Sequence, residues 1–87
     1  MGIVGAHNIG KVLELKLNEV GITTLKELKE MGTEKTFLLL YEKNKNTTRA
    51  TLLSIEGAIQ EIRWHNLDEK RVAELREFYD SVVEKRK

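Results

Sequence analysis

The first residues suited to chemistry open a helix of regular apolar spacing: Asn8, Ile9, Gly10 and Lys11. Backbone amides at a helix N-terminus carry partial positive charge, and a neighbouring lysine adds a full one, so this stretch has the groups that bind a phosphate. The commoner use of the same pattern is an Asn8 helix cap followed by a solvent-exposed Lys11. The sequence favours the cap and keeps phosphate binding as the alternative.

A second candidate for chemistry is the only aromatic and basic cluster of the sequence, Arg63, Trp64 and His65. An exposed tryptophan at this position would stack on a base or anchor a protein partner. Trp64 is the single tryptophan of a small domain and has Ile62 and Leu67 as apolar neighbours, a setting in which an indole is more often part of the core. We therefore expect Trp64 to be buried under the last helix of the chain.

Patterns for catalysis and for metal binding are missing from the sequence. It has no cysteine, its histidines His7 and His65 lie far apart, and its six glycines are scattered rather than gathered in a phosphate-binding loop. The only serines, Ser54 and Ser81, lie neither in a nucleophile elbow nor beside an obvious base. The fourteen carboxylates mostly alternate with Lys and Arg at helical spacing, which is typical of a solvated face. We expect no enzymatic activity, no metal site and no cofactor.

Length and composition indicate one small folded domain. The chain has 87 residues, of which 40% are hydrophobic and 33% charged, enough for a single domain over residues 1–87 with its core within residues 8–83. A net charge of +1 gives no overall attraction for nucleic acid or for an anionic membrane. No apolar run approaches the roughly 20 residues that span a bilayer, and no export signal is present. Without cysteine, the cytoplasm is the expected location.

Helical periodicity runs through the chain and predicts an all-α domain built from a compact bundle of about five short helices. The first predicted helix carries one apolar stripe: Ile9, Val12, Leu13, Leu17 and Val20. Asn8 caps it, and Gly21 closes it in the left-handed conformation that glycine adopts easily. Thr24 and Glu27 form a capping box for the second helix, and Thr33 caps the third.

The second half of the chain follows a polar loop at residues 43–48. One residue at the end of this loop caps the fourth helix: Asn46, Thr47 or Thr48. Gly57 lies inside that helix, where glycine costs about 1 kcal/mol relative to alanine, so we expect another helix to cross closely at Gly57. Asn66 and Glu69 form a second box-like cap, which begins the fifth and longest helix.

Two stretches together resemble a known family. Residues 8–11 (NIGK) open a helix that ends at residues 20–25 (VGITTL), and this resembles the hairpin and second helix of a helix-hairpin-helix motif. The second stretch is residues 56–67 (EGAIQEIRWHNL). In this order and at this separation, the two are similar to the C-terminal domain of the TfoX (Sxy) family, bacterial regulators of competence for DNA transformation.

The resemblance implies a small helical domain, similar to helix-hairpin-helix and sterile-alpha-motif folds, that serves a regulatory partner rather than catalysing a reaction. We expect a noncatalytic domain that acts through protein–protein contacts, with weak nonspecific nucleic-acid binding through residues 8–11 as the alternative. Asn8 stands where the hairpin has its first glycine, a substitution that asparagine tolerates because it enters the left-handed region more readily than most residues. The family's usual amino-terminal domain is not part of this sequence, so we expect either an isolated domain or a stand-alone relative.

Overall fold

The computed structural model describes residues 8–85, which form five α-helices and one turn of 3₁₀-helix. In chain order these are α1 (Lys11–Glu19), α2 (Leu25–Met31), α3 (Thr33–Lys43), α4 (Arg49–Gln60), the 3₁₀ turn (Trp64–Asn66) and α5 (Glu69–Lys85). No strand occurs in this part of the chain. The predicted all-α bundle of five helices is therefore confirmed, and the fifth helix is the longest, with 17 residues.

Two helix boundaries in the first half follow the predicted signals. Gly21 has a φ of +87° directly after α1, and the Ile22 N–H donates a 2.9 Å hydrogen bond to the carbonyl of Leu17. This arrangement satisfies carbonyls that would otherwise lack a partner at the helix end. At α2, the Thr24 hydroxyl accepts from the Glu27 N–H while the Glu27 carboxylate accepts from the Thr24 N–H, so the capping box is confirmed.

The other predicted caps gave mixed results. Thr48 caps α4, because its hydroxyl accepts a hydrogen bond from the N–H of Thr51. Asn8 does not cap α1: Gly10 occupies that position, without a side-chain hydrogen bond from the described chain. Thr33 is the first residue of α3 rather than its cap, and Asn66 lies within the 3₁₀ turn before α5 begins. The Asn8 and Thr33 side chains instead bond to distant segments, and such bonds compete with local capping.

The core consists of two apolar clusters that share α4. One contains Ile9, Leu17, Ile22, Leu28, Leu40, Ile55 and Ala58, and the other contains Phe37, Tyr41, Leu52, Leu75 and Val82. Phe37 is fully buried and lies 5.8 Å from the Tyr41 ring and 5.7 Å from the Tyr79 ring between centroids. The third helix therefore contributes to both clusters, through Leu40 in the first and Phe37 and Tyr41 in the second, and α4 likewise contributes to both.

A buried carboxylate joins three of the helices. The Glu56 side chain on α4 is 8% exposed and lies 2.9 Å from the Arg71 guanidinium on α5. The Thr33 hydroxyl on α3 donates a 2.7 Å hydrogen bond to Glu56, and the Gln60 amide donates another. Arg71 also lies 3.0 Å from Glu34 on α3. The network satisfies a charge that would be costly to bury alone.

Candidate functional site

The two stretches that carry the family resemblance meet in the structure. The side-chain amide of Asn8 donates a 2.9 Å hydrogen bond to the carbonyl of Ile62, and its oxygen accepts a 3.2 Å hydrogen bond from the Trp64 N–H. Asn8 reaches this position with a φ of +68°, as predicted for the residue that replaces a hairpin glycine. One side chain thus fastens the start of α1 to the segment between α4 and α5.

Gly57 lies beneath this junction, where no side chain fits. A Cβ at Gly57 would collide with the side-chain nitrogen of Asn8 and lie 2.9 Å from the carbonyl oxygen of Ile62 and 3.2 Å from the Trp64 nitrogen. The predicted close approach at Gly57 is therefore correct, but the prediction that another helix makes this approach is wrong. The approaching group is the returning segment 62–64 with the Asn8 side chain, because α4 ends at Gln60 and the next residue, Glu61, takes the left-handed conformation.

The prediction that Trp64 is buried is wrong. Trp64 is 41% exposed and stacks on His65, with 4.0 Å between ring centroids and 28° between ring planes. The 3₁₀ turn that begins at Trp64 carries the indole to the surface, and Leu67, which is 7% exposed, takes the buried place beside α5. Trp64 is therefore available for contact with another molecule.

An open hollow of about 340 Å³ lies beside the Trp64 ring, between α4, the 3₁₀ turn and α5. Leu53, Val72 and Ala73 provide its apolar lining, and Arg76 lies at its edge. No pattern in the sequence indicated that Leu53 and Val72 would border a surface hollow. That arrangement depends on the tertiary position of the 3₁₀ turn.

Only part of the predicted phosphate-binding stretch faces solvent. Ile9 is 5% exposed and belongs to the core, and the Asn8 amide is engaged with residues 62–64. Gly10 and Lys11 are exposed, and α1 begins there without a side-chain cap from the described residues. Asn8 and Ile9 thus stabilise the fold, and only Gly10 and Lys11 are accessible to a ligand.

A second open hollow, of about 390 Å³, lies between the start of α1 and the first turns of α4. Lys11, Lys16 and Val12 line it.

Val12, which the sequence placed in the apolar stripe of the first helix, is 69% exposed, and Leu15 is 55% exposed. On α1 itself, Leu17 is fully buried and Leu13, four residues earlier, packs against the core, while Val12 lies about 100° around the helix from Leu13. Sequence reasoning did not single out Lys16 or Leu15.

The comparisons with known proteins agree with the helical arrangement. A model of the family described as the TfoX C-terminal domain matches residues 3–79, which is most of the chain. The chain belongs to this family. The predicted resemblance is therefore confirmed over both stretches around Asn8 and Gly57.

This TfoX C-terminal domain is also similar to two solved structures. A crystal structure of an uncharacterized protein from Listeria monocytogenes, in a triclinic form, is 41% identical with a TM-score of 0.92 and covers 94% of this chain and 93% of that chain. A tetragonal crystal structure of a protein of unknown function from Listeria monocytogenes is 44% identical, with a TM-score of 0.86, over 88% of this chain and 95% of that chain. No curated protein matches.

Among the described residues, no three His, Asp or Glu side chains converge where they could hold a metal ion, and His7 lies outside those residues. Within residues 8–85, no helix is both long and apolar enough to cross a bilayer. Neither the family description nor those of the two Listeria structures names a catalytic activity.

Proposed function

We propose that this TfoX C-terminal domain is a noncatalytic regulatory module that acts through protein–protein contacts. The observation that carries the proposal is the exposed indole of Trp64 beside the hollow lined by Leu53 and Val72. Tryptophan is enriched among the residues that contribute most to binding energy at protein interfaces. It makes this contribution when it fills or borders an apolar pocket. Trp64 thus has the chemistry and the position of an interface anchor.

The local structure supports this use of Trp64. Leu67, three residues further along the chain, is buried, whereas the indole of Trp64 is 41% exposed and is not part of the core. Its backbone N–H is held by Asn8, and its ring is stacked on His65. A side chain that is restrained before binding loses less conformational freedom when a partner covers it. Trp64 is therefore exposed and also held by two local contacts.

Site-specific photocrosslinking in the native cell tests the proposal. A benzophenone amino acid replaces Trp64, and a matched control carries it at Lys26, which is exposed on α2 and borders neither hollow. We expect discrete protein adducts from position 64 and none of these from position 26. Adducts that are equal from both positions, or adducts to nucleic acid alone, would contradict a protein-contact function at Trp64.

Weak nonspecific nucleic-acid binding is the second candidate, favoured by the start of α1, which no side chain of residues 8–85 caps, beside exposed Lys11. Phosphate contacts release condensed counterions, so affinity for a labelled duplex should fall with salt at a log–log slope near 0.9 per phosphate. Lys11→Glu should lower that slope by about one unit without changing sequence preference. The exposed Lys26→Glu variant is the matched control. Absence of binding at low salt by a folded chain would eliminate this candidate.

A further inference from the structure

The hollow between α1 and α4 presents exposed aliphatic groups to solvent. Val12 on its α1 side is 69% exposed, and Leu15, three residues further along α1 and outside the lining, is 55% exposed. The α4 side is made of small side chains, Ala50, Thr51 and Ser54. Small residues let a partner backbone approach α4 closely. Val12 supplies apolar area, and covering that area stabilises a complex.

The same hollow concentrates positive charge. Lys11 and Lys16 line it, and no carboxylate is found among its described lining residues. The α1 N-terminus opens at Gly10 on the same side and adds a partial positive charge. Arg49, exposed at the start of α4, is the chain neighbour of Ala50 in the lining. Because the whole chain carries only +1, this is a local excess of positive charge on a nearly neutral protein.

Resting on the proposed protein-contact function, we infer that this hollow binds an acidic amphipathic helix of a partner protein. Aliphatic side chains of that helix pack against Val12, and its carboxylates face Lys11 and Lys16. The nine residues of α1 extend about 13 Å, which suits two to three turns of a partner helix. Helices are recognised in grooves through apolar anchors at three- and four-residue spacing, with charges at the edge.

A protein helix fits this surface better than a nucleic acid does. Phosphate recognition uses charged and polar donors, and Lys11 and Lys16 could supply them. The exposed aliphatic side chain of Val12, however, gains no apolar contact from a phosphate backbone. A partner with both aliphatic and carboxylate side chains matches both properties of the hollow.

Selection from a random peptide library on the intact 87-residue chain tests this inference. Phage display of peptides about 15 residues long, enough for four helical turns, is followed by affinity measurement and by NMR mapping of the backbone amides. We expect selected peptides with Asp or Glu and with aliphatic residues at three- and four-residue spacing. Their amide shifts should centre on α1 and the first turn of α4.

Variants of exposed residues identify the groups that bind. Reversing both charges, Lys11→Glu with Lys16→Glu, should weaken the selected peptides about tenfold or more, since each exposed ion pair contributes a several-fold effect. Val12→Ser should also weaken binding, whereas the control Lys26→Glu should leave it unchanged. Circular dichroism checks that each variant is folded.

The selection would overturn the inference if no peptide were enriched, or if the enriched peptides were basic or lacked helical spacing. Peptide affinity that is unaffected by the charge reversals would also overturn it, as would amide shifts centred on the Trp64 hollow. A short DNA duplex that shifts the same α1 amides and displaces the peptide would assign the hollow to nucleic acid instead. Crosslinking from position 64 reports on a different surface. Failure of the acidic-helix inference is therefore distinguishable from failure of the protein-contact function.

Discussion

The choice between two apolar side chains beside α5 shows what determines burial at the residue scale. Trp64 and Leu67 are three residues apart, and the intervening 3₁₀ turn carries only Leu67 inward. A buried indole needs a hydrogen-bond partner for its N–H, whereas a leucine side chain has no polar atom to satisfy. We predicted from the sequence that Trp64 is buried, because its larger side chain offers more apolar area. In the structure Leu67 is the buried residue of the two.

Truncating each of these side chains should give different losses of stability. Leu67→Ala removes a buried side chain, and we expect the free energy of unfolding to fall by about 2 to 4 kcal/mol. Trp64→Ala removes a half-exposed ring, and we expect a loss of about 1 kcal/mol. Urea denaturation measures both. Equal losses, or native fluorescence blue-shifted from that of tryptophan in water, would show that Trp64 is buried.

At the scale of elements, α1 and the segment that follows α4 are joined at one point above Gly57. Asn8 holds Ile62 and Trp64 by two hydrogen bonds, and the absence of a side chain at Gly57 leaves the room that this contact needs. A helix-interior glycine is unfavourable by propensity alone. Its presence is explained by the returning segment rather than by a second helix.

Gly57→Ala should therefore destabilise the domain although alanine is the better helix former. The added Cβ meets two backbone atoms and the Asn8 amide, and we expect a loss of about 1 to 3 kcal/mol. In an Asn8→Gly background the cost should be smaller by about 1 kcal/mol, because one of the colliding groups is gone. Ser54→Ala on the same helix is the control and should change stability by at most about 0.5 kcal/mol. Additive effects of the Asn8 and Gly57 changes would argue against this contact.

Local signals in the sequence predicted the helix ends that depend on near neighbours. Gly21 and the Thr24–Glu27 box act within four residues of themselves, so their effects were readable without the tertiary fold. Asn8 bonds to a residue 54 positions away, and Thr33 to one 23 positions away. No pattern in the sequence pairs such residues. For the same reason the family stretches were identified correctly while their meeting at Gly57 was not.

At the scale of the whole molecule, the helices α3, α4 and α5 are linked through the buried carboxylate of Glu56. Burial favours the neutral form and would raise its pKa, but hydrogen bonds from Arg71, Gln60 and Thr33 outweigh it, so the pKa of Glu56 is lowered. Hydrogen bonds from Thr23, with a further contribution from Thr24, likewise lower the pKa of the exposed Glu27. The bonds to Glu34 and Glu56 raise the pKa of Arg71 further above its usual value, so it stays charged throughout.

These shifts determine how stability changes with pH. A carboxyl group whose pKa is lower in the folded state stabilises the fold fully above its unfolded pKa, near 4.3, and this contribution is lost as the pH falls through the folded pKa. We therefore expect the free energy of unfolding to decrease as the pH is lowered from about 6 to about 2. Urea denaturation across this range measures the decrease.

Glu56→Gln isolates the contribution of the network that joins α3, α4 and α5. The variant leaves Arg71 with Glu34 and Glu74 as partners, so at neutral pH we expect a loss of about 2 kcal/mol, below the range for a fully buried pair. Its stability should then depend less on pH than that of the native chain, because the Glu56 carboxyl no longer titrates and the Glu27 contribution remains. Glu77→Gln, at an exposed position of α5, is the matched control and should keep the native acid sensitivity. A Glu56→Gln chain as acid-sensitive as the native one would show that Glu56 does not couple the fold to pH.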